Sequence, residues 1–98
     1  MQFRQQLEHH FRQKHSVQEY AELLKVSSKT LTRSVYDVAR TTPFKMIHAR
    51  IALEARRLLE YSDMKIKEIG YEVGFDDPSN FVKFFKRQTG NMPTYYRE

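Results

Sequence analysis

The feature that most constrains this chain is a repeat: one helical pattern is written twice, about 50 residues apart. Ala21, Lys25, Leu31 and Val35 in the first half correspond to Gly70, Gly74, Phe81 and Phe85 in the second. In each copy a small residue sits inside an amphipathic helix, a turn follows four residues on, and a second amphipathic helix opens with polar and basic residues. That is the outline of a helix-turn-helix, whose second helix fits a DNA major groove. A chain of 98 residues is too small for two conventional domains, so two lobes must share an element.

Charge agrees with a polyanionic partner. Seventeen Lys and Arg against twelve Asp and Glu give +5, with the four His counted as neutral. Residues 1–49 carry eight basic and four acidic side chains, whereas residues 50–98 carry nine and eight, so the first half should feel phosphate more strongly. The absence of Cys excludes disulfides, thiolate metal sites and Cys nucleophiles and suits a reducing cytoplasm. No apolar run approaches a membrane span and no signal-peptide pattern opens the chain, so it reads as soluble and cytoplasmic.

Alternation of period two is hard to find, and three Gly and three Pro leave helix as the default. The expected fold is all-α, with about seven helices. The first spans Phe3 to Lys14, with Phe3, Leu7 and Phe11 inward. Ser16 and Glu19 form a capping box for a helix from Val17 to Leu24. Lys25 and Val26 turn the chain, and Ser27 caps a helix to Ala39 with Leu31, Val35 and Val38 as its core stripe. Pro43 opens a long helix ending near Tyr61, with Ile47, Ile51, Ala55, Leu58 and Leu59 on its apolar face. In the second copy Ile66, Ile69 and Val73 face inward, Gly74 ends the helix, Asp77 caps the next one, and Phe81, Phe84 and Phe85 fill its core side. Gly90 stops that helix, and Pro93 to Arg97 make a final short turn. The expected organisation is a first lobe at 1–42, a connecting helix at 43–61 and a second lobe at 62–98.

The stretch from Ile66 to Arg97, I-K-E-I-G-Y-E-V-G-F-D-D-P-S-N-F-V-K-F-F-K-R-Q-T-G-N-M-P-T-Y-Y-R, resembles the C-terminal DNA-binding domain of AraC/XylS-type bacterial transcription regulators. Ile69, Gly74, Phe75, Ser79, Phe81, Phe85, Lys86, Gly90, Pro93, Tyr96 and Arg97 fall on the family pattern. Ala21, Ser27, Leu31, Arg33, Arg50, Ile51, Ala55, Leu58 and Leu59 match a looser pattern in the first half, so the resemblance covers nearly the whole chain. It implies two helix-turn-helix subdomains joined by a long connecting helix, with both recognition helices in successive major grooves. It also implies binding of double-stranded promoter DNA and activation through RNA polymerase. A connector of nineteen residues, roughly 28 Å long, suits grooves spaced about 34 to 36 Å apart. Four residues depart from the pattern: Lys25 at a turn where Gly or Asn is easier, Val35 for a bulkier aromatic, Gly70 for Ala, and Lys65 for a Ser or Thr cap, which leaves Glu68 without a capping-box partner. Family members usually carry a separate ligand-sensing or dimerisation domain, which 98 residues do not accommodate; the intact protein is expected to have one.

Phosphates are neutralised by Lys and Arg, while base edges are read by forked or short polar side chains. The expected base contacts are Lys29, Thr32 and Arg33 in the first copy and Ser79, Asn80 and Lys83 in the second. Arg33 suits guanine O6 and N7, the Thr32 methyl a thymine methyl, and Asn80 adenine N6 and N7. Expected backbone contacts are Ser28, Tyr36, Lys86 and Arg87. Asp76 and Asp77 would repel phosphate and read better as caps. A competing function is a basic helical module that docks an acidic protein. Single-strand binding would require the Phe stripe to be exposed. No nucleophile and base, Gly-rich phosphate loop or carboxylate pair supports an enzyme. His9, His10, His15 and His48 lack the companions of a metal site, so neither metal nor cofactor is expected.

Overall fold

The computed structural model describes residues 2–97, in which six α-helices are followed by a single 3-10 turn. They are α1 (Gln2–His10), α2 (Val17–Leu23), α3 (Ser28–Ala39), α4 (Pro43–Tyr61), α5 (Ile66–Glu72), α6 (Pro78–Thr89) and the turn Pro93–Tyr96. No strand occurs among the described residues. The fold is therefore all-α, with helix ends close to those expected from caps and turns. α1 is the exception: it stops at His10 rather than Lys14, although Phe11 still bonds back to Leu7 and is buried. The chain divides into two units, Met1–His48 and Ala49–Glu98, with the boundary inside α4.

In the first unit Phe3, Leu7, Phe11, Tyr20, Ala21, Leu31, Val35 and Ile47 are buried. Tyr20 meets Phe3 edge to face at 5.5 Å and its hydroxyl donates to the Lys14 carbonyl at 2.9 Å. An aromatic ring can be fully buried because its one polar atom is satisfied. α2 starts firmly: Ser16 Oγ accepts from the Glu19 amide at 3.2 Å, and Glu19 accepts from the Ser16 amide at the same distance. The Ser16 hydroxyl also donates to the Glu19 carboxylate at 2.9 Å, and that bond first, with those from the Ser16 and His15 amides, holds the Glu19 carboxyl below its ordinary value. Val38 corrects the sequence reading. It is 71% exposed, because the packed stripe of α3 ends at Val35 and the helix's last turn projects into solvent.

In the second unit Ile51, Ala55, Leu59, Ile69, Val73, Phe81, Phe84 and Phe85 are buried. Phe75 lies 5.6 Å from Phe81 and 5.0 Å from Phe84, and Phe85 meets Tyr96 edge to face at 5.5 Å. Asp77 accepts from the Ser79 amide at 2.8 Å, with Pro78 at the first position of α6. At α5 the sequence reading needs amending: Glu68 does bond back to the Lys65 amide, at 2.8 Å. Lys65 lacks an acceptor, so only that half of the reciprocal pair forms.

Candidate nucleic-acid interface

The two copies share one turn, bond for bond. In the first unit Lys25 donates to Glu22 O at 3.1 Å and Val26 to Ala21 O at 3.0 Å; in the second Gly74 donates to Tyr71 O at 3.1 Å and Phe75 to Gly70 O at 2.9 Å. This is the Schellman arrangement, which needs a left-handed residue just past the helix. Lys25 supplies it at φ 59° and Gly74 at φ 102°. Each turn sets the angle at which the second helix of its copy leaves the first. A side chain at a left-handed position carries a cost of roughly 1–2 kcal/mol, which the first unit bears and the second avoids with Gly.

What leaves each turn is a twelve-residue helix with one buried face. α3 buries Leu31 and Val35, and its expected readers Ser28, Lys29, Thr32, Arg33 and Tyr36 are all exposed. These five and Thr42 line an open concavity of about 500 Å³. Arg40 closes α3 with φ 57° and stacks its guanidinium over the Tyr36 ring at 5.5 Å. Sequence reasoning left Arg40 out, because the residue that ends a helix is normally sought as a Gly.

α6 buries Phe81, Phe84 and Phe85 and exposes Ser79, Asn80, Lys83, Lys86 and Arg87. Ser79, Asn80 and Lys83 stand in its first two turns. Lys86 and Arg87 lie in its last turn, where a positive charge also complements the helix dipole. Asp77 is the N-cap of α6, its carboxylate accepting from the Ser79 amide. The buried Phe side chains are core, so they offer no stacking surface for unpaired bases. A larger concavity of about 1000 Å³ in this unit, bordered by Arg56, Glu60, Tyr61, Asp63 and Tyr95, contains none of the expected readers. Among the described residues no cluster of His, Cys, Asp or Glu is placed to hold a metal ion, and no helix is long and apolar enough to cross a membrane.

The chain matches known proteins over most of its length. The family pattern of a helix-turn-helix domain, of the type found in AraC regulators, fits residues 20–98. The chain belongs to the AraC-type helix-turn-helix family. Among AraC-type relatives, the HTH-type transcriptional activator RhaS of Salmonella schwarzengrund is 32% identical over 92 residues, covering 94% of this chain and 33% of that protein. This AraC-type chain thus spans about a third of the length of the curated relatives it matches. The C-terminal domain of AraT, a response regulator from Geobacillus stearothermophilus, superposes with a TM-score of 0.90 at 29% identity, over 98% of this chain and 80% of that one. The DNA-binding domain of AdpA, a global transcriptional factor solved in complex with a target DNA, superposes with a TM-score of 0.79 at 31% identity, over 93% and 81%.

Proposed function

We propose that this chain reads double-stranded promoter DNA in bacterial transcription regulation, with α3 and α6 set in successive major grooves. One observation carries the reading: two copies of the same Schellman turn each lead into a helix whose outer face is polar and basic. AdpA's solved complex with a target DNA and the activator RhaS support it from outside the chain.

In this reading Lys29, Thr32 and Arg33 meet base edges in one groove and Ser79, Asn80 and Lys83 in the next, while Ser28, Tyr36, Lys86 and Arg87 hold phosphates. Each bidentate base contact contributes roughly 1–3 kcal/mol of discrimination. The bound regulator activates transcription by touching RNA polymerase, and a separate sensing or dimerisation domain governs it in the intact, cytoplasmic protein.

The test is Arg33→Ala combined with Lys83→Ala, measured against a selected target duplex and a random one. Discrimination between the two duplexes should vanish while helical content stays at the parent's level. Preserved discrimination would remove these two residues from the reading set, and binding insensitive to salt would favour an acidic protein partner over DNA.

A further inference from the structure

We infer that Arg40 is a phosphate-binding residue, and that it occupies a left-handed helix end because that position extends the reading stripe of α3. The inference rests on the DNA-binding reading above and adds a contact which that reading does not contain.

The two units differ at matching points. α3 and α6 are both twelve residues long, and both end on a left-handed residue whose amide bonds to the carbonyl four positions earlier: Arg40 at φ 57° to Tyr36, Gly90 at φ 83° to Lys86. Gly adopts that conformation without steric penalty and Arg does not. A strained residue held by its surroundings is a reason to look for a role.

Position supplies the role. Lys29, Arg33 and Tyr36 follow one another at spacings of four and three, which keeps them within about 60° of arc at about 100° per residue, and Arg40, just past the helix, joins them through its guanidinium over the Tyr36 ring. Asp37, the one carboxylate of α3, lies roughly 80° round from Lys29 and about 40° from Arg33, at the edge of the stripe. From Lys29 to Arg40 the axis rises about 16 Å, whereas the major groove is about 8.5 Å deep and 12 Å wide. When the first turn of α3 meets base edges, the last turn stands at the level of the phosphates. Arg40 is exposed there, and its stacking over Tyr36 at 5.5 Å fixes the guanidinium beside a half-exposed phenol. A planar fork next to a hydroxyl donor suits a phosphodiester oxygen pair. The contact is blind to sequence.

The experiment uses Arg40→Gly in the full chain, titrated with the selected duplex and with random duplex from 50 to 200 mM salt. Loss of one phosphate contact should lower the slope of log affinity against log salt by about 0.9, so that the parent's advantage shrinks about 3-fold across that range. The ratio of target to random affinity should not change, and the variant should melt no lower than the parent, since Gly relieves the left-handed strain. Arg40→Lys should restore most of the slope. Lys25→Gly makes the same change in the same backbone geometry away from the stripe and should leave the slope alone. An unchanged slope in Arg40→Gly, or an equal loss in Lys25→Gly, overturns the inference while the DNA-binding reading stands. A parent chain that fails to prefer its selected duplex overturns the reading beneath it.

Discussion

A methyl group built on Gly70 would lie 3.0 Å from Phe81 Cβ and 3.1 Å from its Cγ and Cδ2. α5 therefore meets α6 through bare backbone, and the Gly that weakens helix propensity is the residue that lets the bulky Phe81 ring in. The first copy balances the same pair of positions the other way, with buried Ala21 and the smaller Leu31.

Gly70→Ala should destabilise the protein by about 1 kcal/mol. Overpacking costs typically 1–3 kcal/mol, and the helix-propensity gain of roughly 1 kcal/mol offsets part of it. Phe81→Leu alone should cost more, through lost ring contacts, but the two changes together should cost less than their sum because they recreate the Ala–Leu pair. Denaturant unfolding of the four-member cycle reads the coupling. Strict additivity would show that the close approach has no energetic weight.

Arg97 should be the costliest surface residue of the second unit to remove. Its guanidinium donates to Leu59 O at 3.1 Å, Leu58 O at 3.1 Å, Ser62 O at 2.8 Å and also to Met64 O, closing the exposed end of α4 onto the segment that follows. Arg97→Ala leaves those carbonyls without that donor and should cost about 2–3 kcal/mol. Arg97→Lys should recover little, because an ammonium cannot fork to four acceptors. Thermal melting measures the loss, and amide exchange from Ser62 to Lys65 should accelerate in both variants.

Stability should fall in alkali through Tyr20. Burial pushes its phenol up to about 12 from an ordinary 10.0. The folded state thus favours the protonated form; that contribution is complete below pH 10.0 and is lost as pH rises toward 12. Tyr20→Phe should be about 1 kcal/mol less stable at neutral pH, from loss of the bond to the Lys14 carbonyl. Its deficit against the parent should close as pH climbs through that window. A constant difference across it would show that Tyr20 ionises no less easily in the fold than in the unfolded chain.

The sequence carried the helices because its start and stop signals are chemically explicit: Ser16 with Glu19, Pro43, Asp77 with Pro78, and Gly90 each act locally and need no tertiary partner. Buried stripes were equally plain where aromatic or branched residues recur at helical spacing, as in Phe81, Phe84 and Phe85. Three features were hidden. Val38 fits the apolar period of α3 but stands beyond the end of the packed surface, which periodicity cannot mark. Arg40 ends a helix without the Gly that normally signals an end. Arg97 reaches carbonyls more than thirty residues away, a partnership that no local pattern encodes. Among candidate readers, exposure follows from helix phase, so the sequence alone places Lys29, Arg33, Asn80 and Lys83 on outer faces.

The most direct test of the two-helix reading is selection from a random duplex library with this chain, followed by footprinting of the winning duplex with a single bound copy. Two conserved boxes with centres about 10 to 10.5 base pairs apart are expected, both protected on one face of the duplex. A winning site with a single box, or a pool with no enriched sequence, would contradict that reading.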